Sequence, residues 1–201
     1  MKTDVILVGG FHEMVELCED CGLNIVGIID NNLIGNYYGY PVIGKDLDAE
    51  TLFMEYGKAK IVITPDSPTL RKQLVEYYQS IGYSFITVIS PHARVSRSAT
   101  IGEGTVVQAG VNISSATVIG NFCKLNTNCN IMHDNIVRDY ATIAPNAVLL
   151  GRVSVGKGAY IGANSTLLPN ICVGDNAVVG AGAVATRNVT NNAIVKGVPA
   201  K

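Results

Sequence analysis

The stretch NIMHDN, residues 130 to 135, sets His133 and Asp134 side by side in a region that otherwise carries little chemistry. Imidazole has a proton affinity near neutral pH, so it suits removal of a proton from a nucleophile as that nucleophile attacks. A neighbouring carboxylate orients the ring and stabilises the imidazolium that forms. The pair therefore reads as a general base, His133, with Asp134 as its orienting partner. Adjacent residues of a regular strand point to opposite faces, so the pairing requires a corner or bulge at this point. A surface histidine beside a solvated aspartate is the alternative.

A second set of candidates lies near the N-terminus. DVILVGG is an aliphatic run stopped by glycines and followed by an amphipathic stretch from about His12 to Cys21, which reads as strand, turn, helix. NIVGIID is a second buried strand ending at Asp30, and YYGYPVIGK reads as loop. A helix from about Leu47 to Tyr56, the strand KIVIT, the loop PDSP, a helix from about Thr69 to Ile81 and the strand SFITVI complete the alternation. Strands alternating with helices imply a small parallel sheet, and ligands bind such sheets beyond the carboxyl ends of the strands. Those ends carry Gly9, Gly10, Phe11 and His12, then Asp30 and Asn31, then Pro65 and Asp66. Glycines ahead of a helix let backbone N–H groups approach a phosphate, and an acid about twenty positions on is placed for a ribose hydroxyl. GGFHEM is not G-x-G-x-x-G, so a dinucleotide is not supported. The choice is between a nucleotide or phosphorylated ligand and a sheet that only packs.

The elements that must hold His133 are of another kind. From Val95 to Val179 an aliphatic residue occupies every sixth position, and four places after it the residue is usually small, as at Ala99, Ala141, Ala159 and Ala177. A period of six fits neither helix nor hairpin and signals a β-helix with the aliphatics inward. Three hexads make one triangular coil of eighteen residues, so the repeat predicts about five coils over residues 95 to 184. His133, third in its hexad, then lies outside the coil, with Ser115 one coil back and Gly151 one coil forward. Cys123 and Cys129 fall at small inward positions and read as packing thiols.

Composition narrows the function classes. With a net charge of -1 and no Lys/Arg-rich run, the chain lacks the footprint of a nucleic-acid binder. No apolar stretch approaches a membrane span, and MKTDVILVGG does not read as a signal peptide, so a cytoplasmic location is expected. The five cysteines read as free thiols, and Cys18 and Cys21 lie too late in their helix for a redox pair. The three histidines, His12, His92 and His133, are scattered, so no metal is expected.

The unbroken hexapeptide array with GVPAK after it, preceded by a glycine-rich loop ending in His12 and a strand ending IID, resembles the acyltransferases of the sialic acid O-acetyltransferase and nucleotide-sugar N-acetyltransferase family. The resemblance covers essentially the whole chain. It implies an α/β Rossmann-like N-terminal domain, residues 1–90, that binds a nucleotide-linked sugar, followed by a left-handed parallel β-helix, residues 91–201. It also implies acetyl-CoA as cosubstrate, a homotrimer, and CoA lying in a cleft between neighbouring β-helices. The family's base matches His133. Asn126 matches a position near the acceptor sugar, and Gly151 one whose N–H faces the thioester carbonyl. Ala163, Ala181, Lys196 and Pro199 fit the CoA cleft. Several relatives carry a second histidine nine residues after the base, where this chain has Thr142, with Tyr140 nearby as a second polar group. The expected reaction is acetylation of the amino group of a nucleotide-linked 4-amino-4,6-dideoxy sugar. O-acetylation of a sugar and a non-catalytic scaffold are the alternatives.

Overall fold

The computed structural model describes residues 2–201. In chain order the first part runs β1 (Asp4–Val8), α1 (His12–Asp20), β2 (Asn24–Ile29), β3 (Asn36–Tyr37), β4 (Tyr40–Gly44), α2 (Ala49–Tyr56), β5 (Lys60–Ile63), α3 (Pro68–Ile81) and β6 (Ser84–Phe85). These strands form one sheet in the order β3-β4-β2-β1-β5-β6, parallel except for the β3–β4 pair. Central strands of such a sheet are covered on both faces, which is why DVILV and KIVI read as continuous aliphatic runs. α3 is defined at both ends: Ser67 caps Leu70 N–H, Pro68 opens the first turn, and Gly82 follows at φ 111°.

Two expectations are corrected here. YYGYPVIGK is not a loop but carries the turn of the β3–β4 hairpin and strand β4, which also pairs with β2. Tyr38 and Gly39 both take left-handed φ, at 50° and 86°, and supply the tight turn that joins β3 to β4. SFITVI is not one strand: Ser84–Phe85 pairs with β5, whereas Val88–Ile89 pairs with Val106–Val107 in the coil.

The coil begins with that Val88–Ile89 pair and runs to Ile194–Val195, further at both ends than the hexad count from Val95 to Val179. Its two-residue strands form three parallel sheets of seven, six and five strands, and every rung but the last, Val178 to Ile194, lies eighteen residues from the next, as in Asn112, Asn130 and Val148. A residue with left-handed φ recurs every six positions through the middle coils, at Ala116, Phe122, Asn128, Asp134, Tyr140 and Asn146, and turns the chain at each corner. Leu125, Ile131, Val137, Ile143, Leu149 and Val155 point inward and are buried. Each such side chain contributes about 1.5–3 kcal/mol of transfer free energy.

The αβ part packs on the coil through Phe85 against Phe122, whose ring also stacks on Tyr140. Arg71 of α3 is the polar staple. Its buried guanidinium donates to Phe122 O at 2.7 Å, Pro65 O at 2.9 Å, Tyr140 O at 2.7 Å and Thr142 Oγ1 at 3.0 Å. Burial lowers its pKa to about 10, partly offset by Cys123 and Asp66, so it stays charged at neutral pH. Among the described residues no helix is long and apolar enough to cross a membrane.

Candidate active site

His133 and Asp134 form the corner between the strands Asn130–Ile131 and Ile136–Val137. The turn that their pairing requires is made by Asp134 itself, at φ 58°, a conformation aspartate tolerates better than most residues. Asp134 Oδ2 lies 2.7 Å from His133 Nδ1. That contact leaves Nε2 as the ring nitrogen able to take a proton. Both side chains are about half exposed. The ring lies against the next coil: a Cβ built on Gly151 would meet His133 Cε1 and Nε2 at 2.7 Å. The Gly151 N–H, on the same corner, is given no hydrogen-bond acceptor by the chain, whereas the equivalent N–H of Lys157 at another corner donates to Asp175.

The N-terminal candidates gather in a second place. Gly9, Asp30, Asn31 and Pro65 line a cavity of about 200 Å³ at the carboxyl ends of the strands. The glycine N–H groups are already used there: Gly9 N donates to Ile29 O and Gly10 N to Asp30 Oδ2 at 2.8 Å. Asp30 also accepts from Asn32 N and Leu33 N. Partial burial raises its carboxyl pKa, but these three backbone donors outweigh burial and hold it below the ordinary range. Asn31 is tied to Asp46 at 2.7 Å. The open donors come one step later, because α1 starts after Phe11 with no side chain capping its first turn. His12 stacks on Tyr38 with ring centroids 5.4 Å apart.

Phe11, Asp66 and Asn126 meet in an adjoining cavity of about 380 Å³, bounded on the coil side by Gln108, Thr127 and Pro145. Asn126 Nδ2 donates to Asp66 Oδ1 at 3.1 Å, which fixes the amide and turns its oxygen away from Asp66. That oxygen is buried and has no protein partner. A buried acceptor without a donor costs about 1–3 kcal/mol, so the site is built to receive an N–H or O–H from elsewhere. Lys124 was not anticipated. It is buried, its Nζ lies 3.0 Å from Asp66 Oδ1 and donates to Thr64 O, and Phe11 lies beneath it at 5.4 Å. Burial lowers its pKa against the pull of Asp66. Nothing in the hexad pattern marks this lysine, because the αβ part alone covers it.

Thr142 is fully buried, with its hydroxyl given to Asp66 O at 2.8 Å and its oxygen taken by Arg71. It and Tyr140, stacked on Phe122, serve the contact between the two parts rather than a proton path. Burial raises the Cys18 thiol to about 12 and also raises Cys21, so neither is a reactive thiolate. No group of three or more potential metal ligands occurs among the described residues.

Residues 152–187 match the model of the bacterial transferase hexapeptide family, six repeats. Along 98% of its length the chain is 31% identical to a histidine-to-alanine mutant of the GDP-perosamine N-acetyltransferase of Caulobacter crescentus, solved with CoA and GDP-perosamine, covering 95% of that chain at a TM-score of 0.94. The chain belongs to the hexapeptide-repeat family of nucleotide-sugar N-acetyltransferases. Two further family structures agree. The acetyltransferase domain of PglB from Neisseria gonorrhoeae, in complex with acetyl coenzyme A, is 28% identical over the whole of this chain and 99% of its own, with a TM-score of 0.93. WeeI from Acinetobacter baumannii is 26% identical over 99% of both chains, with a TM-score of 0.87. No curated protein sequence gives a significant match. The parallel ladders and the hexapeptide repeat fit the left-handed β-helix of this acetyltransferase family.

Within one chain of this enzyme the sequence-derived candidates fall at two different corners. Thr127, Pro145, Ala163 and Ala181 follow one another at intervals of eighteen, so Ala163 and Ala181 continue the edge of the Asn126 cavity. Lys196 joins that edge beside Gly180, and Pro199 lies in the exposed tail after it. His133, Asp134 and Gly151 occupy the next corner round the coil.

Proposed function

We propose that this chain transfers the acetyl group of acetyl-CoA to the amino group of a nucleotide-linked 4-amino-4,6-dideoxy sugar. The αβ part acts as a Rossmann-like grip on the nucleotide, with the diphosphate at the uncapped start of α1 and the ribose or base near Asp30 and Asn31. The Asn126 oxygen accepts a hydrogen bond from the sugar. The amine attacks the thioester carbonyl, His133 Nε2 takes the proton it loses, and the carbon–sulfur bond breaks as the CoA thiolate leaves and takes that proton back from the imidazolium. Asp134 holds the ring and balances its charge, while the Gly151 N–H faces the carbonyl oxygen as negative charge develops on it. CoA runs along Ala163, Ala181, Lys196 and Pro199.

On this reading a second copy of the chain completes the site, since the candidates of one chain fall at two corners. A homotrimer, in which the Asn126 edge of one protomer faces the His133 corner of its neighbour, brings both halves to one acceptor.

The observation that carries the proposal is the end-to-end likeness to an enzyme solved with CoA and GDP-perosamine, on a chain whose His133–Asp134 pair rests on Gly151. The test is CoA release from acetyl-CoA against UDP-, dTDP- and GDP-linked 4-amino sugars and free sialic acid, with His133→Ala alongside. The expected result is turnover of one nucleotide-linked amino sugar, with kcat reduced about 10²–10⁴-fold in the variant. Turnover of sialic acid alone returns the O-acetyltransferase alternative, and full activity in the variant removes His133 as base.

A further inference from the structure

Asn135, the last residue of NIMHDN, takes no part in the chemistry above, and its side chain is fully buried inside the coil. In most coil turns the amide four places after the inward aliphatic closes onto the carbonyl three residues earlier. Cys129 N does so onto Asn126 O at 3.1 Å and Ala147 N onto Ala144 O at 3.2 Å. The two turns at the His133 corner close through a side chain instead. Asn135 Nδ2 donates to Met132 O at 2.8 Å and to Leu149 O at 3.4 Å, while Val153 N donates to Asn135 Oδ1 at 2.5 Å. Met132–Asn135 is the turn that carries His133, and Leu150–Val153 is the turn that carries Gly151.

One carboxamide therefore ties the two turns together, with its donor end on carbonyls and its acceptor end on an N–H. The same column of the coil holds Thr117, Val153 and Ile171, none of which carries a donor and an acceptor on separate atoms. Packing alone does not require an amide here, since equivalent inward positions elsewhere are filled by Ala141 and Ala147.

We propose that Asn135 is a positioning residue for acetyl transfer, holding the His133 imidazole in register with the Gly151 N–H. The inference rests on the reading of those two groups as base and oxyanion donor. It goes further in assigning their relative placement to a residue that touches neither substrate. A shift of about 1 Å between two catalytic groups costs on the order of 10²-fold in rate.

The test compares wild type, Asn135→Ala, His133→Ala and Thr105→Val for kcat, both KM values and Tm. Thr105 is a matched structural control at another corner: its buried hydroxyl accepts from Cys123 N at 3.0 Å and donates to Gly120 O at 2.8 Å. The expected result is a loss of about 10²-fold in kcat for Asn135→Ala with both KM values within about twofold. Thr105→Val should lower Tm comparably and keep its kcat. Wild-type kcat in Asn135→Ala, or an equal kcat loss in Thr105→Val, overturns the inference. So does a rise in KM that matches the fall in kcat. If Asn135→Ala fails to fold, as judged by circular dichroism, Asn135→Cys decides on the same criteria, because the coil already accepts buried thiols at Cys123 and Cys129. Full activity in His133→Ala identifies failure of the underlying mechanism, whereas loss there with wild-type rates in the Asn135 variants isolates failure of the positioning role.

Discussion

At the scale of single residues, the proposed chemistry depends on an imidazole laid against a glycine one coil away. Gly151 does not take a left-handed φ, so alanine is acceptable to its backbone, and the three atoms nearest to the added Cβ all belong to His133. Gly151→Ala is expected to push the ring aside and lower kcat about 10²-fold while leaving Tm within a few degrees of wild type. Unchanged kcat would show that the position of the ring is immaterial and would sink the base assignment. The stacking of Ser115, His133 and Gly151 was legible from counting in eighteens, because a regular coil turns sequence distance directly into height. Asn135 and Lys124 were not legible. Asn135 looks like any other small inward residue until its partners are known, and Lys124 looks like any outward polar one until Phe11 and the β5–α3 loop cover it.

At the scale of elements, α3 decides how the two parts meet. Arg71 satisfies the carbonyls of Pro65, Phe122 and Tyr140 where the two parts meet. Arg71→Ala strands those groups and is expected to cost at least about 3 kcal/mol, read as a lower denaturant midpoint. Arg71→Lys should recover little of it, because an ammonium cannot reproduce the planar fork of donors. A midpoint unchanged in Arg71→Ala would mean that the aromatic contacts of Phe85, Phe122 and Tyr140 carry the junction alone. Element type was readable where one periodicity ran unbroken, as in β1, α1, β5, α3 and the hexads. It failed at β4, where Tyr, Gly and Pro resemble loop composition. It failed again at Ser84–Ile89, where one aliphatic run serves two sheets and nothing local marks the change of partner.

At the scale of the whole molecule, the proposed site is split between two corners, and the proposed homotrimer makes activity a property of the assembly. Asn126→Ala and His133→Ala each damage a different half. If every site draws Asn126 from one protomer and His133 from the next, co-refolding equal amounts of the two inactive variants should restore about a quarter of wild-type activity by random assortment. No recovery, in a mixture shown by sedimentation to exchange subunits, would refute the shared site. What the sequence determined by itself was the repeat, and through it the coil, its buried ladders and the outward corner that carries His133 and Asp134. Those follow because a β-helix is built from local, periodic contacts, each rung depending only on the rung eighteen residues away. What only the tertiary structure decided was everything that joins distant segments: the buried Arg71 and Lys124, and the Asn126 oxygen left without a donor. Contacts between parts far apart in the chain leave no period to read, since each is made once, by whichever side chains the packing brings together.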